Sequence, residues 1–248
     1  LEDTMTYDIT AWSVPYVYGL QAYATKSTIK TTDSQRYFSK RDKLNSNPYA
    51  YILPWGGIDD IRFLSEIYQH NIVARVSVEP FEIKKKRFDR GTIILTRKSN
   101  ENLGDQFDDI IKKAANKFNR PITSVESGFV SKGKDFGSSS MRVIRKPKIG
   151  IISGNGVSSY SFGEVWHFFE RQIEFPVSVI GSDYFSGIPK HNFDVIILPS
   201  GNHSYINNEL RDDLRIWVRS GGKLILMDGA INAFAVSYTH LTLPTMMS

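Results

Sequence analysis

The feature that most constrains this chain is a series of short, largely apolar segments from residue 148 onward, each the length of a strand and separated by helix-length stretches. The segments are residues 148–153, 176–180, 193–199 and 223–227, and helical patterns span 162–173 and 207–219. A strand that is apolar on both sides cannot leave one face in water, so its sheet must be covered twice. Regular strand–helix alternation adds that the strands run parallel. The expected fold is α/β: a doubly wound, flavodoxin-like parallel sheet over residues 148–234, with its glycine loops gathered along one edge. Ser220-Gly221-Gly222 supplies the stop for the second helix.

Upstream the pattern is looser. Residues 1–47 are aromatic and polar without a sustained period, and read as an extended N-terminal connector. Residues 48–127 read as a smaller α/β unit, with strands at 49–55, 72–76, 91–96 and 122–125. Its helices fall at 57–70, where Ile58, Ile61, Leu64, Ile67 and Tyr68 share a face, and at 105–118, where Phe107, Ile110, Ile111, Ala114 and Phe118 do. The Gly/Ser/Lys-rich residues 128–147 break the periodicity and are expected to be a linker. Residues 235–248 fit helix continuation poorly, being β-branched and carrying Pro244. They resemble translated adapter sequence and are expected to be a non-native tail that packs poorly.

Composition removes several classes of function. The chain has no cysteine, which excludes disulfides, thiolate metal sites and a thiol nucleophile. No apolar run approaches the roughly 20 residues that a membrane-spanning helix needs, so no transmembrane segment is expected. The net charge of +5 is uneven: residues 1–147 hold 24 Lys and Arg against 17 Asp and Glu. The excess clusters at Lys84-Lys85-Lys86-Arg87 and around Arg142, Arg145, Lys146 and Lys148. Such runs can contact an anionic polymer through its phosphates. A solvated turn between two strands is the preferred reading of such a run. No nucleic-acid motif accompanies either, so no nucleic-acid partner is expected.

Candidate chemistry gathers at the strand ends. Gly154-Asn155-Gly156-Val157-Ser158-Ser159 lies between a strand and a helix, the position of a dinucleotide fingerprint, with Asp183 past the next strand. Ser159 stands where the third glycine belongs, which leaves a plain strand-to-helix turn as the other reading. Ser200-Gly201-Asn202-His203 follows a later strand but lacks a Gly-x-Ser-x-Gly elbow. A ligand would sit where Gly154, Asn155, Gly156, Ser158 and Ser159 approach Ser200, Gly201 and Asn202, and helix N–H groups there favour an anion or carboxylate. Glu164, expected in the first turn of helix 162–173, opposes this as a self-supplied anionic cap. His167-Phe168-Phe169-Glu170 has the His-x-x-Glu spacing of two zinc ligands but no third ligand at matching spacing, so no metal site is expected. Asp228-Gly229-Ala230 follows the last strand, where an amidotransferase would carry its cysteine.

The opening residues 1–16 (Leu-Glu-Asp-Thr-Met-Thr-Tyr-Asp-Ile-Thr-Ala-Trp-Ser-Val-Pro-Tyr) resemble the segment that follows the catalytic domain in a bacterial branch of the zinc carboxypeptidase family. Asp135-Phe136-Gly137-Ser138, Ser153-Gly154-Asn155-Gly156 and Phe162-Gly163-Glu164-Val165-Trp166-His167 continue the resemblance. So do Pro199-Ser200-Gly201 and Ser220-Gly221-Gly222-Lys223-Leu224-Ile225, and it extends to about Phe234. The resemblance implies a class I amidotransferase-like fold without amidotransferase function. It also implies a non-catalytic accessory region of a zinc metallocarboxypeptidase, exported by a Gram-negative bacterium. The family's zinc ligands and catalytic glutamate would lie upstream of Leu1, so no catalytic or metal residue is assigned here and no cofactor is expected in this chain. Its expected partners are its own upstream carboxypeptidase domain and, through it, peptide substrates. A small-molecule-binding, degenerate amidotransferase-like domain is the alternative from a different class.

Overall fold

The computed structural model describes residues 26–28 and 44–235. The chain divides into two units, residues 1–39 and 40–248, and every element below lies in the second. The resemblance block at 1–16, most of the expected connector and almost all of the expected tail lie outside the described residues.

Among its described residues the second unit is built on a five-stranded and a four-stranded sheet, with a two-stranded hairpin beside them. The first joins β1 (Ala50–Leu53), β2 (Ala74–Ser77), β5 (Ile93–Thr96), β6 (Thr123–Val125) and β7 (Met141–Ile144) in the order β6-β1-β5-β2-β7, with every pairing antiparallel. One face carries Tyr51, Leu53, Ala74 and Leu95 against Phe63 and Ile67 of helix α1 (Ile58–Gln69) and Phe107 and Ile111 of helix α2 (Gln106–Lys117). The other carries Ala50, Ile52 and Ile94 against Phe81, Phe88 and Phe136, which cover it from a hairpin and a loop. That hairpin pairs β3 (Phe81–Ile83) with β4 (Lys86–Phe88). Lys84 and Lys85 form its two-residue turn with φ of 52° and 61°, the paired left-handed geometry that matches strand twist. The first half of the basic run is thus a turn between two strands, and its second half, Lys86 and Arg87, opens β4.

The segment expected as a linker is structured. Met141 to Ile144 pair with β2 from Ser77↔Met141 to Ala74↔Ile144, and Phe136 is buried under the first sheet. Its glycines and serines hid a four-residue edge strand. The break between the sheets falls between Ile144 and Ile149.

The second sheet contains β8 (Ile149–Ser153), β9 (Ser178–Gly181), β10 (Val195–Leu198) and β11 (Lys223–Leu226). All pairings are parallel and the order is β9-β8-β10-β11, the 2-1-3-4 arrangement of a flavodoxin-like, doubly wound fold. Both faces of the central strands β8 and β10 are covered, as their apolar residues require, whereas Val179 and Ile225 on the edge strands stay 51% and 46% exposed. Ile149, Ile151 and Ile197 join the core that includes Val165 of helix α3 (Ser159–His167). Ile152, Ile196 and Leu198 face Leu210, Leu214 and Trp217 of helix α4 (Asn208–Arg219). Asn207 caps α4 by accepting the Leu210 N–H at 2.8 Å. The helix ends as the glycines dictate: Gly221 takes φ 109°, its N–H donates to Val218 O, and the Gly222 N–H donates to Trp217 O.

Helix α3 starts three residues earlier than its apolar pattern indicates and does not run regularly to Ile173. Residues Phe168–Gln172 widen into a π-helical turn closed by Ile173 N–H to Phe168 O at 3.0 Å. Ring packing of Phe169 against Phe168 and Phe175 accompanies the widening. Side chains of α1 take the freed carbonyls: Arg62 donates to Gln172 O, and Ser65 and Gln69 to Glu174 O.

Candidate functional site

In a 2-1-3-4 sheet the loops after the first and third strands lead to opposite faces, and a crevice opens between them at the carboxyl ends. Here those loops follow β8 and β10. The first leaves Ser153 through a turn in which the Val157 N–H donates to Gly154 O at 3.2 Å and Gly156 takes φ 80°, the third position of a type II turn. It ends at Ser158, the N-cap of α3, whose Oγ accepts the Ser161 N–H at 3.4 Å.

The two loops are locked together by backbone contacts. The Ser158 N–H donates to Ser200 O at 2.8 Å, and the His203 N–H donates to Gly156 O at 3.1 Å. Val157 pairs with Gly201 in an isolated antiparallel bridge, and the Ser200 N–H donates to Ser161 Oγ at 2.9 Å. A Cβ on Gly201 would stand 2.2 Å from Gly156 O, so only glycine permits this approach. Gly156 and Ser158 are therefore brought beside Ser200, Gly201 and Asn202, whereas Gly154, at the start of the turn, faces Ser182. Asn155 at the turn and Ser159, the first residue of α3, are exposed at the same edge.

Glu164 is a correction. Because α3 begins at Ser159, Glu164 falls in its second turn, exposed, and the first turn carries no acidic residue. Ser158 is the cap, and the self-capping carboxylate drawn from the sequence is not part of this edge.

Four further residues shape the site. Asp228 follows β11 in a left-handed conformation, φ 44°, and its Oδ2 accepts a hydrogen bond from Ser200 Oγ at 2.8 Å. The next residue, Gly229, lies against the Gly201 backbone so closely that a Cβ would come within 2.9 Å of Gly201 O. His203, 1% exposed, sets Nε2 2.7 Å from Pro199 O and Nδ1 2.7 Å from Tyr205 Oη. A carbonyl only accepts, so Nε2 carries the proton and Nδ1 accepts from the tyrosine hydroxyl. Burial pushes the imidazole pKa below its ordinary value, partly opposed by the carbonyl contact. Both ring nitrogens are committed, and Ser200 is paired with a carboxylate instead of with this histidine. Ser182, at the end of β9, is buried, and its Oγ has no hydrogen-bond partner among the described residues although it faces Gly154 at 3.1 Å from where a Cβ would be. An Asp-Gly pair directly after an apolar strand was the one sequence signal for Asp228; nothing marked Ser182.

His167 is the last residue of α3, and Glu170 lies in the π-helical turn; both are exposed. Among the described residues no three His, Asp or Glu side chains are grouped to hold a metal ion, and no helix is long and apolar enough to cross a membrane.

The parallel sheet in the order β9-β8-β10-β11, with helices on its two faces, defines an α/β protein of flavodoxin-like class. No protein-family model matches the sequence, and no curated protein does. Among solved structures it is similar to a formyltetrahydrofolate deformylase from Burkholderia mallei, at 13% identity over 72% of this chain and a TM-score of 0.22. The chain spans 57% of that protein's length, and a likeness this loose carries no argument.

Proposed function

We propose that this chain is the non-catalytic C-terminal accessory region of an exported zinc metallocarboxypeptidase whose metal and catalytic residues lie in an upstream domain. The sequence blocks resembling that family motivate the reading. The observation that supports it is the turn after β11: a left-handed Asp228 is tied to Ser200, at the position where the amidotransferase-like resemblance implies a missing thiol. The nearby His203 is held between Pro199 and Tyr205 and takes no part. The parent uses zinc-activated water to remove C-terminal residues from peptides, and this region supports that domain.

The test is the upstream reading frame and the protein it encodes. An encoded His-x-x-Glu followed by a distant histidine, with zinc-dependent release of C-terminal residues by the longer protein, is the expected result. A longer protein that holds no zinc and leaves peptides intact overturns the reading. The present chain alone is expected neither to hold stoichiometric zinc nor to cleave such peptides; zinc lost on His167→Ala would contradict this.

A second reading, favoured by the unpartnered Ser182 hydroxyl beside Gly154, is that the strand-end edge receives a small carboxylate. Titration with acetate should then move the amide resonances of residues 154–160 and of Ser182 together. Shifts scattered over the surface, or none, count against it.

A further inference from the structure

A second site lies away from the strand-end edge, in a groove of about 610 Å³ lined by Lys146, Trp166, Glu170, Phe175 and Pro176 among others. Its volume is within the range of small-molecule sites, roughly 300–1,000 Å³. We propose that this groove binds a short zwitterionic peptide with an apolar side chain, the carboxylate on Lys146, the ammonium on Glu170 and the side chain against Trp166, Phe175 and Pro176.

The charged groups argue for such a ligand. Lys146 Nζ lies 5.9 Å from the centre of the Phe175 ring, and neither it nor the Glu170 carboxylate has an ion-pair partner among the described residues. Glu174, the other carboxylate at the groove, is already committed to Lys117 at 2.9 Å. One free cation, one free anion and an apolar floor suit a molecule carrying both charges on a small apolar body; a simple anion would leave Glu170 unanswered. Trp166, 40% exposed on α3, supplies the broad flat surface.

The wall is held in shape before any ligand arrives. Glu170 belongs to the π-helical turn, a distortion that recurs at functional positions. Glu174, just beyond it, is left-handed with φ 51°, a conformation that persists when its surroundings enforce it. Those surroundings are Ser65 Oγ at 2.7 Å and Gln69 Nε2 at 3.2 Å, both donating to Glu174 O, and Arg62 donating to Gln172 O. Preorganisation of this kind lowers the ordering cost of binding.

The proposal is independent of the carboxypeptidase reading, and its failure would leave that reading intact. The probe is the dipeptide Gly-Phe, titrated into the full chain and followed by the Trp166 indole and Glu170 amide resonances. Saturable shifts are expected, with N-acetyl-Gly-Phe and Gly-Phe-amide each binding roughly fivefold more weakly, the scale of one exposed ion pair. Glu170→Gln should abolish discrimination against the acetylated probe, and Lys146→Met discrimination against the amide. Both side chains are exposed, so the variants should keep the parent's amide dispersion. No saturable shift at millimolar probe, or equal binding of all three probes to the unaltered chain, overturns the proposal.

Discussion

Ser200 and Asp228 sit at the ends of adjacent strands, and the serine hydroxyl donates to the aspartate carboxylate at 2.8 Å. The contact holds Asp228 in a left-handed conformation, φ 44°, that costs most L-residues about 1–2 kcal/mol. Asp228→Gly removes the hydrogen bond and the backbone strain together, whereas Asp228→Ala removes only the hydrogen bond. The alanine variant should therefore be less stable than the glycine variant by about 1 kcal/mol in urea unfolding. Equal stabilities would mean that the left-handed turn costs nothing here.

The loop lock makes a graded prediction for three glycines. A Cβ on Gly201 meets backbone oxygen at 2.2 Å, one on Gly156 meets the movable Asn202 Oδ1 at 3.0 Å, and one on Gly137 meets nothing within 4 Å. Gly156 also has φ 80°, which alanine adopts only under strain. Gly201→Ala should cost about 3 kcal/mol or more, Gly156→Ala about 1–2, and Gly137→Ala close to nothing. Thermal unfolding of the three variants checks the order.

Burial of His203 gives a pH dependence with a definite sign. The folded pKa lies below the ordinary value because desolvation disfavours the imidazolium, while the unfolded chain titrates near about 6.5. Below that pH the unfolded state binds a proton that the folded state refuses, so stability falls as pH falls. Above it the neutral ring keeps its bonds to Pro199 and Tyr205, and its contribution is complete. Unfolding midpoints should drop as the pH falls through about 6.5. His203→Asn, which tolerates the left-handed φ of 47°, should flatten that slope.

The parallel sheet was legible because Ile151, Ile152, Ile196 and Ile197 are apolar on both strand faces, and only a doubly covered sheet buries them. The convergence of Gly156 and Ser158 with Ser200–Asn202 was legible too, since parallel strands put their following loops at one edge. What stayed hidden depends on pairing over distance. Met141–Ile144 reads as loop by composition, and only β2 makes it a strand. Ser182 lies on a different strand from Gly154, so no local spacing reveals that its hydroxyl faces the glycine. The π-helical turn has the same cause: carbonyls at Gln172 and Glu174 are taken by α1, more than a hundred residues upstream.

The start of α3 separates two accounts of its first turn. Apolar periodicity begins at Phe162 and would place Glu164 among the unsatisfied N–H groups as a cap. The hydrogen bonds place the boundary at Ser158 instead: its Oγ accepts from Ser161 and its carbonyl from Phe162. Serine could be missed because it contributes nothing to an apolar stripe, yet it satisfies a helix N-terminus at close to the best level of any residue. Ser158→Ala should then destabilise the protein by about 1 kcal/mol, toward the lower end of lost caps given the 3.4 Å bond. Ser158→Asp should restore most of the loss, because a carboxylate accepts the same N–H and suits the positive end of the helix. Glu164→Ala, exposed and a turn further on, should change the unfolding free energy by no more than a few tenths of a kcal/mol, within the usual range for surface substitutions. A loss at Glu164 equal to that at Ser158 would restore the carboxylate cap and move the helix start back to Phe162.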